Sequence, residues 1–159
     1  MKTKQVTRIL VIDDEESVRK SLALVLKDEG YSVDVAENGQ EAIKKSSANF
    51  YNLALVDIRL PDMDGISLLT QMRETVPKMI KIIVTGYPSL DNSIEAVNQG
   101  ADGYIVKPFK MEDLLSKIKE HLKKQQEAKK FSEEKVKEFI EARAEEHESK
   151  TSVKHRPKK

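Results

Sequence analysis

The sequence contains no cysteine, so disulfides and thiolate metal sites are excluded. It has no apolar run near the roughly 20 residues needed to span a bilayer, and its first residues lack the order of a secretory signal. A soluble cytoplasmic protein with no membrane partner is the expectation. Excess charge of one sign is missing too: 28 Lys and Arg stand against 27 Asp and Glu, a formal net charge of +1. That balance carries no electrostatic footprint for nucleic acid.

What is present is unevenly spread. Hydrophobic residues make up 38% of the chain and charged residues 35%. Residues 127–159 alone hold 10 basic and 8 acidic side chains, so 18 of these 33 positions are charged. The composition shifts near Gln125–Glu127, and 159 residues favour one domain plus an appendage over two full domains.

Before that shift, short apolar runs alternate with amphipathic stretches. Ile9–Ile12, Leu53–Val56 and Ile82–Val84 read as strands buried on both faces, which suits a parallel sheet. Val33-Asp34-Val35 alternates as an edge strand does, and Tyr104–Val106 is a fifth strand. Helical spacing marks Val18, Leu22, Val25 and Leu26 with Gly30 as a stop. It recurs at Ala42 and Ile43; at Ile66, Leu69 and Met72; at Leu90, Ile94 and Val97 before Gly100; and at Leu114, Leu115, Ile118 and Leu122. Five β-α units predict an α/β fold with a parallel sheet between helices. Ligands of such sheets bind beyond the carboxyl ends of the strands.

The residues at those ends are chemically complementary. Asp13-Asp14-Glu15-Glu16 follow the first strand, Asp57 the third, Thr85-Gly86 the fourth and Lys107-Pro108 the fifth. Crowded carboxylates favour a hard cation, and oxygen ligands suit Mg2+. A cation beside Asp57 would neutralise a phosphoryl group, with Lys107 and the Thr85 hydroxyl placed for its other oxygens. An Asp carboxylate is an established type of phosphoryl acceptor. Singly, each piece has an ordinary reading. Asp14–Glu16 would serve as a helix cap and acidic first turn, Asp57 and Thr85-Gly86 as turns, and Lys107 as a solvated lysine.

Taken together, Asp13-Asp14, the Leu55–Gly65 stretch around Asp57, Val84-Thr85-Gly86 and Tyr104–Phe109 resemble the receiver domains of two-component signalling over residues 6–126. The resemblance implies a five-stranded parallel sheet of order 2-1-3-4-5, flavodoxin-like and doubly wound. It implies that Asp57 accepts a phosphoryl group from a histidine kinase or phosphotransfer protein. Mg2+ would be held by Asp14, by Asp13 largely through water, by Asp57 and by the Arg59 main-chain carbonyl. Lys107, joined to Pro108 by a cis bond, would pair with the phosphoryl group. Thr85 and Tyr104 would form the switch, and the surface of helix four, strand five and helix five would signal to a protein target. Arg59 and Tyr87 stand at variable positions that look like those tuning phosphate lifetime. The protein would be a signalling receiver, not an enzyme acting on external substrates.

Competing classes fit less well. A flavin protein needs phosphate-binding donors in the first loop, where this chain carries four acids. An aspartate-nucleophile phosphatase spaces two aspartates by one residue, whereas Asp13 and Asp14 are adjacent. For a nucleic-acid-binding output domain, the 33 residues after the boundary are too few, so direct nucleic-acid binding is not expected. His121, His147 and His155 form no ligand cluster by spacing and read as surface residues.

The tail, 127–159, reads as a charged extension with its own helix over about 133–147 and a disordered basic end. Ser132 stands as a cap, and Phe131 and Val136 occupy hydrophobic-staple positions. Val136, Phe139, Ile140 and Ala144 share one face, which implies docking on the receiver, a partner or a second copy in a homodimer. The alternative is a frayed continuation of the preceding helix.

Overall fold

The computed structural model describes residues 5–154, with side chains to His147. The chain divides into two compact units, Met1–Lys123 and Lys124–Lys159. The first unit alternates β1 (Arg8–Ile12), α1 (Glu16–Asp28), β2 (Ser32–Ala36), α2 (Gly39–Ala48), β3 (Leu53–Val56), α3 (Gly65–Gln71), β4 (Ile80–Thr85), α4 (Leu90–Asn98) and β5 (Gly103–Val106). It closes with the first turns of α5 (Met111–Lys154). All four strand pairings are parallel and the order is β2-β1-β3-β4-β5, as the resemblance implied.

Alternation along the central strands builds two cores. In β1, Leu10 and Ile12 join Ala42, Ile66, Leu69 and Ala96 from α2, α3 and α4 on one face. Ile9 and Val11 join Leu22, Leu26, Leu114 and Ile118 from α1 and α5 on the other. Successive side chains of a strand point to opposite faces, so a run that is apolar throughout needs helices on both. Gly30 and Gly100, at φ 97° and 99°, end α1 and α4 in the left-handed conformation that a side chain disfavours. Their amides, and those of Tyr31 and Ala101, bond back to the last turns.

Leu90, Ile94 and Val97 mark a helix as expected; their stripe faces solvent at 75%, 51% and 67% exposure, and Ala96 is the residue α4 buries. The tail and His121 depart from expectation. Ser132 does not cap a new helix: α5 runs without a break from Met111 to Lys154, and Phe131-Ser132 lie inside it. A capping residue competes with continuation only where the preceding residues disfavour helix, and Lys123–Lys130 are all good helix formers. Of the basic end expected to be disordered, 150–159, residues 150–154 continue α5, whereas 155–159, and with them His155, lie outside the described residues, as do the side chains of Lys150 and Lys154. His121 is half-buried, its ring beside Gly103, rather than a surface group.

One glycine ties the fold to the strand-end chemistry. A Cβ on Gly65 would stand 1.9 Å from the Asp57 carbonyl oxygen and 2.9 Å from the Ile58 Cα, both backbone atoms. The Gly65 amide donates to Ile58 O at 2.7 Å, which holds the start of α3 against the β3 exit. Backbone atoms have no rotamer to yield, so Gly65→Ala is expected to cost about 3 kcal/mol. Urea unfolding measures it, and a loss below about 0.5 kcal/mol, the range of neutral surface changes, would contradict this packing.

Candidate functional site

The parallel register brings the strand exits to one edge. Ile12 pairs with Val56, and Thr85 with Val106. One residue further on, Asp57 N donates to Ile12 O at 3.0 Å, Asp13 N to Ala36 O at 3.1 Å, and Lys107 N to Thr85 O at 2.8 Å. Asp13, Asp57 and Lys107 are therefore fixed by main-chain bonds that extend the ladders by one rung. The Lys107–Pro108 peptide is cis.

From the end of β5, Lys107 reaches across β4. Its Nζ lies 2.7 Å from Asp13 Oδ2 and 3.3 Å from Asp57 Oδ2. The other oxygens are also engaged: Asp13 Oδ1 accepts from Glu15 N at 2.9 Å and Asp57 Oδ1 from Arg59 N at 3.2 Å. Asp13 and Asp57 are buried and Asp14 is exposed. Each offers an oxygen, and these three oxygens lie within 4.8 Å of one another. Three carboxylates against one ammonium leave two negative charges in the cluster. An all-oxygen, net-negative donor set fits a hard divalent cation. Burial pushes the Asp57 carboxyl pKa up, and Asp13 adds to this against the pull of Lys107. Burial works against the Lys107 ammonium, but its hydrogen bond and attraction to Asp13, with the charge of Asp57, hold its pKa above the usual lysine value.

Thr85 is fully buried, and its hydroxyl accepts from Tyr87 N at 3.0 Å. Tyr104 packs its ring on the core beneath α4, and its hydroxyl is buried with no hydrogen-bond partner among the described residues. At the rim, the Arg59 guanidinium carbon stands 3.3 Å from the centroid of the Tyr87 ring, so these two variable positions touch each other.

Three supports escaped the sequence reading. The Asp62 carboxylate accepts from Gly39 N and Gln40 N at 2.8 and 2.9 Å, capping α2 from the loop after β3. Asp64 caps α3 through Ile66 N at 2.8 Å. Arg19 donates to Asp13 O at 2.8 Å from α1. The acids in Asp62-Met63-Asp64 were the available signal for the caps. Nothing local announced Arg19.

A buried acid–ammonium cluster at the carboxyl edge of a 2-1-3-4-5 sheet defines a phosphoryl-handling α/β signalling domain. Residues 9–119 match the response regulator receiver domain, and the chain belongs to that family. It is 46% identical to a CheY-like response regulator receiver domain protein from Methanospirillum hungatei, with TM-score 0.75 over 78% of this chain and 99% of that one. It is 35% identical to response regulator protein TrrA from Thermotoga maritima, solved in complex with Mg(2+)-BeF, with TM-score 0.65 over 73% of this chain and 99% of that one. Response regulator ArlR of Staphylococcus saprophyticus is 35% identical over 119 residues, 75% of this chain and 54% of the relative. The chain thus spans about half the length of the curated relatives it matches. Among the described residues no helix is long and apolar enough to cross a membrane.

The raised pKa of Asp57 has a stability consequence. The folded protein holds this proton more tightly than the unfolded chain. The stabilisation is therefore full below the ordinary carboxylate range and is lost as pH rises through that range to the raised value. Above it, the buried charge is a penalty. Without divalent cations, Asp57→Asn, which keeps the shape and removes the charge, is expected to melt above the wild type at neutral pH, the gap closing in acid. Equal melting temperatures at neutral pH would show that Lys107 already cancels the cost of burial.

Proposed function

We propose that Asp57 is the phosphoacceptor of a two-component phosphorelay. The observation that carries the reading is the Lys107 ammonium spanning Asp13 and Asp57, at 2.7 and 3.3 Å, in a buried cluster. A carboxylate oxygen of Asp57 attacks the phosphorus of a phosphohistidine on a kinase or phosphotransfer protein. The P–N bond breaks, a P–O bond forms, and the leaving imidazole takes a proton from solvent. Hydrolysis returns the carboxylate and inorganic phosphate. While the phosphoryl group is on Asp57, Lys107 pairs with one of its oxygens in place of an Asp57 oxygen.

Asp14, Asp57 and the Arg59 carbonyl would hold Mg2+, with Asp13 orienting the site. When bound, the ion neutralises the charge on the phosphoryl oxygens. The Mg(2+)-BeF complex of TrrA supports such a site. Because Asp13 is already engaged by Lys107 and Glu15 N, Asp14→Ala is expected to lower Mg2+ affinity more than Asp13→Ala, a direct ligand counting for more than an orienting group. Superimposable Mg2+ titrations of wild type and Asp14→Ala would remove Asp14 from the site.

The buried Thr85 hydroxyl keeps its own proton to donate, since it accepts the Tyr87 amide. A phosphoryl group on Asp57 draws that hydroxyl and biases Tyr104, remodelling the surface of α4, β5 and the first turns of α5. Leu90, Ile94, Val97 and Val106 are exposed there for a downstream protein. Acetyl phosphate with Mg2+ is expected to add one phosphoryl group to the wild type and none to Asp57→Ala. Thr85→Ala is expected to be modified but to lose most of the amide chemical-shift response over Ile94–Tyr104. Equal labelling of Asp57→Ala by mass spectrometry would move the acceptor elsewhere, and an undiminished response in Thr85→Ala would take Thr85 out of the switch.

A further inference from the structure

The second unit carries an apolar face that an isolated helix has no reason to keep. Val136, Phe139 and Ile140 are 58–60% exposed on it, and Phe131, 60% exposed, lies on the other side of the helix. Ser132, Val136, Ile140 and Ala144 form one row at i, i+4 spacing. With Glu133, Lys137 and Glu141 the first three of these line a shallow groove. Phe139 and Arg143 border the row on its other side, and the Arg143 guanidinium stands 5.0 Å from the centre of the Phe139 ring. On the opposite side of the helix, Lys135 sits 5.4 Å from the Phe131 ring. These cations keep the rings tolerable in water, so any association through the face is reversible.

The charge around the face names its occupant. Residues 124–130 carry three lysines against one glutamate, and residues 141–147 carry three glutamates against one arginine. The two flanks are of equal length and opposite sign, and the stretch between them, 131–140, holds the three large apolar side chains of the face, Val136, Phe139 and Ile140. The segment is therefore complementary to itself only when reversed. A parallel pair would set lysines against lysines and glutamates against glutamates, whereas an antiparallel pair sets each basic flank against an acidic one. Two-fold pairing of this kind is isologous and closes at two copies.

We infer that this face docks a second copy of the same chain, antiparallel, with the two-fold axis near Lys135–Val136. The pairing is a property of the helix and does not depend on the chemistry assigned to Asp57.

Sedimentation of the full chain is expected to show a monomer–dimer equilibrium that Phe139→Asp with Ile140→Asp abolishes, modification of Asp57 by acetyl phosphate serving as the folding control. Lys129→Glu with Lys130→Glu is expected to weaken the dimer by about tenfold, since attraction turns to repulsion at both ends. Adding Glu145→Lys and Glu146→Lys to the same chain is expected to restore it. Because the chain has no cysteine, polarity can be read directly. Gln126→Cys and Ala144→Cys lie about 27 Å apart along a helix. A short bismaleimide is expected to link a mixture of these two variants and neither one alone. A chain monomeric at all concentrations, failure of the charge-swap rescue, or linkage of either variant to itself would overturn the proposal.

Discussion

The ammonium of Lys107 is the contact on which the site depends. Two aspartates buried at adjacent strand exits repel each other and are poorly solvated. One long cation from β5, two strands from Asp57 and three from Asp13, serves both. Removing one partner from a buried charge pair typically costs about 3–5 kcal/mol because the other is left uncompensated. The sheet order matters for this reason. Only with β3 and β4 between β1 and β5 does a lysine side chain span the right distance, and only a parallel register puts all the exits on one edge. The same cluster remains net negative after pairing, which is why it fits a divalent cation.

Residues with complementary chemistry at the ends of regular apolar runs were legible in the sequence, because a parallel sheet converts position along each run into a shared edge. Asp13, Asp57 and Lys107 meet there, and Thr85 ends the neighbouring strand. What stayed illegible depended on contacts between loops or on competition between alternatives. Asp62 caps a helix 23 residues earlier in the chain, a pairing no local pattern encodes. Gly65 is required because another segment's backbone lies where its side chain would be. The α4 stripe carried the right period for a helix, and the structure leaves that stripe exposed. Periodicity reports that an apolar face exists, not whether this unit covers it. At Ser132 the staple and cap pattern was present, yet good helix formers on both sides let α5 continue through it.

The exposed α4 stripe and the buried Tyr104 hydroxyl are two aspects of one energetic balance. Burying an aromatic ring is worth about 1.5–3 kcal/mol, while leaving its hydroxyl without a partner costs about 1–3 kcal/mol. Tyr104 is half-buried against the core, with its hydroxyl partnerless among the described residues, so both terms act on it only in part. A side chain so placed responds to a modest bias. One hydrogen bond to a charged group contributes about 1.5–3 kcal/mol, and a bias of that size shifts a two-state ratio by about tenfold to a hundredfold. Thr85, fully buried and one strand from Tyr104, is the group through which a phosphoryl charge would apply it. A fully satisfied tyrosine would have locked the surface in one form, and an exposed one would have had nothing to gain by moving.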